Sequence, residues 1–173
     1  MRSTLDGRPG SASHDDEGIP HRRHILVENG VLRGFLYDLK TAALSGPDVQ
    51  STGHGSRGIF SPPSPAPTNT LVAGGDASLA NMLAQMGRGL LVESVLGLGQ
   101  GNVISGAFSN PLGLAYAVAG GEVVGRIKDA SIAGNVYQDL RRIQAISREG
   151  AWVYGGAWLP YILLPEMNVV TKS

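Results

Sequence analysis

Hydrophobic and polar positions along the chain fall into short runs broken by glycine. Residues 24–39, HILVENGVLRGFLYDL, hold two strand-like runs joined by Asn29-Gly30. Asn-Gly is the strongest two-residue hairpin signal, because both central positions of a type I′ turn need positive φ. A second pair of runs, LAYAVAGGEVVGRIKD, turns at Gly120-Gly121 by the same logic. Both pairs share V-x-x-G-x-x-x-G, at Val27/Gly30/Gly34 and Val118/Gly121/Gly125, which reads as recurring hairpin chemistry rather than an internal repeat. The runs GLLVESVLG, NVISGAFS, DASIAG and LPYILLPEMNVV read as further strands.

Two segments carry helical periodicity instead. In GGDASLANMLAQMGRG, Asp76 is placed to cap the start, and Leu79, Met82, Leu83 and Met86 recur on one face before Gly87 and Gly89 end it. In GNVYQDLRRIQAISREG, Asn135 caps a helix whose face is traced by Val136, Leu140, Ile143 and Ile146 or Ser147, with Gly150 closing it. The methionines read as core filler rather than a cofactor box. The sum predicts an α+β fold, a mostly antiparallel or barrel-like sheet with two principal helices. Residues 45–69 have no periodicity and hold five of the ten prolines. Loops of that length inside compact domains are usually either functional or disordered.

Composition narrows the function. At 173 residues the chain fits a single domain spanning 1–173. Lys plus Arg and Asp plus Glu number 14 each, so no broad basic field exists for nucleic acid. Cysteine is absent, which removes disulfides, thiolate ligands and a cysteine nucleophile, and suits a reducing cytoplasm. No apolar run approaches the ~20 residues that span a bilayer. Only 16% of residues are charged against 42% hydrophobic, lean for a lone domain, so covered apolar surface and a dimer or larger assembly are expected.

SHDDEGIPHRRH sets His14, His21 and His24 beside Asp15, Asp16 and Glu17. A helical metal site needs two histidines on one face, and Gly18 and Pro20 prevent that helix. Arg22 and Arg23 would also repel a cation, so the carboxylates are expected to bond backbone amides or the arginines. GLGQGN lacks the Lys-Ser/Thr ending of a phosphate loop and reads as a turn between strands. No G-x-S-x-G elbow is present. Thr52, His54 and Arg57 in STGHGSRG lie on a glycine-flanked loop that either holds a bound peptide or is simply solvated. Trp152, Tyr154, Trp158 and Tyr161 cluster near the C-terminus, where interface or core packing is expected rather than base stacking.

Taken in order, DDEGIPHRRHILVENGVLRGFLYD, STGHGSRG, PAPTNTLVAGGDASLANML, GRGLLVESVLG and SGAFSNPLGLAYAVAGGEVVGRIKDASIAGN resemble the C-terminal domain of the TldD/PmbA (TldE) family, once described as modulators of DNA gyrase. Each motif is weak alone; their order and spacing, from about Thr4 to about Val169, carry the resemblance. It implies an α+β protein whose N-terminal domain is absent here, part of a cytoplasmic metallopeptidase assembled from TldD and TldE subunits that processes peptides. The catalytic TldD subunit carries a helical H-E-x-x-x-H zinc motif upstream of this region and a cysteine ligand near its C-terminus. This chain has neither, and the TldE/PmbA type lacks the zinc ligands. The resemblance therefore implies no catalytic residue, no metal ligand and no cofactor in this chain, zinc being expected only in a TldD-like partner. It implies a homodimer or a heterodimer with that partner, a peptide substrate, and neither nucleic acid nor membrane. The alternatives are a non-proteolytic β-rich binding module and a stand-alone hydrolase.

Overall fold

The computed structural model describes residues 1, 4–99 and 104–171, and its chain divides into two compact units. One comprises residues 1–73 and 151–159, the other residues 74–150 and 160–173.

In the first unit the Asn-Gly turn forms as its chemistry dictates. β1 (Val27–Glu28) pairs antiparallel with β2 (Val31–Leu32), with φ of 52° at Asn29 and 76° at Gly30. The ladder stops there, and residues 33–38 lead into a helix that the hydrophobic pattern does not show, α1 (Leu39–Ser45). Asp38 caps it. Its carboxylate accepts from the Thr41 amide at 2.6 Å and the Thr41 hydroxyl at 2.6 Å, while its own amide donates to that hydroxyl. Those bonds satisfy amides that a helix start leaves orphaned. The proline-rich segment is partly ordered by burial. Ser51–Gly55 is buried, and beyond it β3 (Gly55–Ser56) pairs antiparallel with β4 (Ser64–Pro65). β5 (Thr70–Leu71) pairs in parallel with Ala157 and Trp158. The Arg8 guanidinium lies 3.8 Å over the Trp152 ring.

The second unit carries the larger sheet. α2 (Leu79–Met86) begins two residues later than the sequence suggests, because Ser78 rather than Asp76 accepts from the Asn81 amide. β6 (Arg88–Val95) pairs antiparallel with β7 (Ala107–Ala119), and β7 returns through Gly120-Gly121 to β8 (Glu122–Ile127). β7 is thirteen residues long and changes partners along its length. Ala107–Pro111 pair with β9 (Ala130–Asn135), while Leu112 onward pairs with β6 and then β8. Pro111, which has no amide hydrogen to give a ladder, stands where the exchange occurs. β12 (Asn168–Thr171) pairs antiparallel with β9 and ends the sheet.

The second predicted helix is mostly a correction. Asn135 caps as expected, accepting from Tyr137 and Gln138, but α3 is only Val136–Asp139, followed by a 3-10 turn at Leu140–Arg142. The chain then becomes β10 (Ala145–Val153) beside β11 (Ala157–Leu163), in the order β10-β11-β5. Backbone bonding decides it: Gln144 donates to the Leu163 carbonyl, and Ser147, wholly buried, accepts from the Tyr161 amide. LPYILLPEMNVV likewise splits into the end of β11 and β12. The fold is α+β with mostly antiparallel open sheets and, among the described residues, no closed barrel. Part of NVISGAFS and of GLGQGN lies outside the described residues. Among the described residues no helix is long and apolar enough to cross a membrane.

Candidate functional site

Residues 13–24 and 51–55 of the first unit are bound to each other by carboxylates that work as backbone acceptors. Asp15 accepts from the amides of Glu17, Ile19 and Gly55, Asp16 from Arg57, and Glu17 from Leu39 at the start of α1. The acidic run is thus spent on amides, one of the two roles its setting suggests. Arg22 donates to the Ser51 carbonyl at 2.9 Å. The two stretches approach closely at two glycines. A Cβ on Gly53, whose φ is +70°, would lie 2.6 Å from the Pro20 carbonyl oxygen, and one on Gly55 would meet the Glu17 side chain.

This packing brings together three histidines that spacing alone does not. His54 is 1% exposed, and the His21 and His24 rings stand 5.9 and 5.8 Å from it, centroid to centroid. His54 Nδ1 lies 2.9 Å from the Thr52 carbonyl, which can only accept, so Nδ1 carries the proton and Nε2 is a bare acceptor. That Nε2, His21 Nδ1 and His24 Nε2 are all buried and have no hydrogen-bond partner among the described residues. Burial, above all, lowers the affinity of His54 for a proton, and charge on His24 and His21 would lower it further. His14 stands apart on the surface, bonded to Ser13.

Of the peptide-loop residues, Thr52 and His54 are buried and Arg57 is exposed. The Thr52 hydroxyl accepts from the Tyr37 amide at 2.9 Å, and its own amide donates to the Tyr37 carbonyl. Beside these segments Ile19, Pro20, Leu39 and Ala42 line a largely apolar hollow of ≈ 480 Å³. Sequence reasoning missed the partnership of His54 with His21 and His24. Its only trace was glycine on both sides of His54.

The second unit has an open apolar groove of ≈ 520 Å³ between α2, β6 and the end of β11, lined by Leu79, Met82, Met86, Val92, Phe108 and Tyr161 among others. Glu93 is the extra residue of a bulge between Val92 and Ser94, which turns its carboxylate to the Tyr161 hydroxyl at 3.1 Å. Burial, then the Glu93 charge, raises the Tyr161 phenol above its usual range. Of the other aromatic residues, Trp152 and Trp158 are half-buried and Tyr154 is 86% exposed, all in the first unit.

The profile of the PmbA/TldA metallopeptidase C-terminal domain matches residues 2–171. A metalloprotease TldD homologue of Buchnera aphidicola is 33% identical over 83% of this chain and 29% of its own length. Among solved structures, a protein of Thermotoga maritima described as a modulator of DNA gyrase has a TM-score of 0.80 at 33% identity, over 93% of this chain and 36% of that one. TldE from Thermococcus kodakarensis has a TM-score of 0.77 at 31% identity, over 90% of this chain and 36% of that one. The chain thus spans about a third of the length of the relatives it matches. With nearly every residue inside the family's domain, the chain belongs to the TldD/PmbA family of metallopeptidase homologues, whose C-terminal domain it carries.

Proposed function

We propose that this chain serves as the C-terminal domain of a TldE-like subunit, which supports peptide processing while a TldD-like partner holds the zinc. One observation carries the reading: residues 2–171 match the family's C-terminal domain without a single cysteine among them. It therefore has no thiolate to offer where the resemblance places the catalytic subunit's C-terminal ligand. The residues present do not fit zinc in another way either. Among the described residues no group of three or more His, Asp or Glu side chains is arranged to hold a metal ion, and no cysteine is available. The names of the relatives are divided between TldD and TldE or PmbA and do not separate the two subunit types. In this reading the domain works in the cytoplasm and walls a peptide cavity within a dimer.

Elemental analysis of the purified chain and peptidase assays test it together. Zinc far below one ion per chain is expected, with hydrolysis of an unfolded peptide only when a TldD-like subunit is added. Stoichiometric zinc, or hydrolysis by this chain alone, overturns the reading. A mixture no more active than the TldD-like subunit alone favours a binding module without a proteolytic role.

A further inference from the structure

We propose that His21, His24 and His54 form an acid-sensitive latch, which holds Ser51–Gly55 against Pro20–His24 while the rings are neutral and releases it on protonation. The geometry behind it is unusual for histidine. A buried neutral ring ordinarily finds partners for both nitrogens, yet here three nitrogens from three rings are buried without one, around a ring that is 1% exposed.

A proton on His54 would have to enter at Nε2, since Nδ1 already donates to Thr52. No carboxylate is hydrogen-bonded to that nitrogen. The His21 and His24 rings stand 5.9 and 5.8 Å from the His54 ring. The amino group of Met1 bonds the His24 carbonyl, and the Arg22 guanidinium is held by the Ser51 carbonyl. The nearby carboxylates of Asp15, Asp16 and Glu17 are turned to backbone amides. A charged His54 is thus desolvated among cations, and the cheapest escape is for its segment to leave. What leaves is defined by the bonds it breaks: Thr52 to Tyr37, Gly55 to Asp15 and Arg22 to the Ser51 carbonyl. Opening would widen the hollow beside Pro20 and Leu39 and free the backbone just ahead of the α1 cap.

The sign follows from linkage. His54 binds its proton less readily folded than unfolded, so the closed state has its full advantage above the ordinary value of 6.5. That advantage is lost as the pH falls below 6.5, by up to about tenfold in the opening constant per pH unit for each proton taken up.

Amide hydrogen exchange of the full chain at pH 7.5 and 5.5, corrected for intrinsic rates, reads the latch. Protection at Thr52 and Gly55 should fall by about three- to tenfold, while Ala115 and Ala117 in β7 keep theirs. His54→Asn, whose amide can take over the bond to Thr52, should reduce the change to less than about threefold. Unchanged wild-type protection, an equal loss in β7, or an equal loss in the variant overturns the proposal. Should the variant fail to fold, NMR titration of the wild-type rings decides. A His54 midpoint below 6.5 with loop opening in step supports the latch, and an ordinary midpoint overturns it.

Discussion

At the scale of single residues, close backbone approach helps to place the candidate site alongside the carboxylate and arginine bonds. Gly53 and Gly18 have similar left-handed backbones, with φ of +70° and +80°, but only Gly53 faces an obstacle. Gly18→Ala meets open space and should cost about 1–2 kcal/mol from backbone strain alone. Gly53→Ala adds a collision with the Pro20 carbonyl and should cost about 2–4 kcal/mol. Urea unfolding of the two variants checks the difference, and equal costs would mean that the 51–55 segment is not packed as described. This contrast also marks what could be read beforehand. That no helix holds the acidic run was legible from Gly18 and Pro20, whereas the choice of backbone amides over the arginines was not. The three-histidine cluster was not, because thirty residues separate His24 from His54 and no local spacing encodes their meeting.

Among elements, the cap of α1 shows why short helices escape a search for periodicity. Seven residues give barely two turns, and most of the signal lies in Asp38 and Thr41 rather than in an apolar stripe. Asp38→Ala should destabilise the first unit by about 1 kcal/mol. The hydrogen bonds from Thr41 lower the Asp38 carboxyl below 3.8, so its contribution is complete above that value and fades as the pH falls through the folded one. Wild type and variant should therefore differ at pH 5 and draw together as the pH is taken progressively below 3.8. Denaturant midpoints along that pH series measure it. The hairpin turns were legible because Asn29-Gly30 and Gly120-Gly121 impose a conformation by themselves. The stretch after Arg142 was not. Ile143, Ile146 and Ser147 suit a helix face by spacing, but pairing beside β11 claims the backbone from Gln144 onward.

For the whole molecule, the unusual quantity is exposed apolar surface. At the tip of the β3–β4 hairpin Ile59 is 93% and Phe60 100% exposed, far beyond what a scattered surface hydrophobe needs. In the proposed assembly such a tip is an anchor for an apolar pocket on the partner. Replacing both with serine should leave the melting temperature within about 2 °C while weakening association about tenfold or more. Sedimentation over the micromolar range reads the association, and an unchanged dissociation constant removes the tip from the interface. The partner exchange along β7 has a consequence of another kind, for the order in which the second unit folds. The turn at Gly120-Gly121 closes the shortest loop in the sheet, so β7 and β8 can join at little entropic cost. β9 must then find the free half of β7, and β12 has no place to dock until β9 has arrived. The final strand therefore docks after β9 and leaves before it. A sheet built this way acquires its outer edge only after its centre is secure.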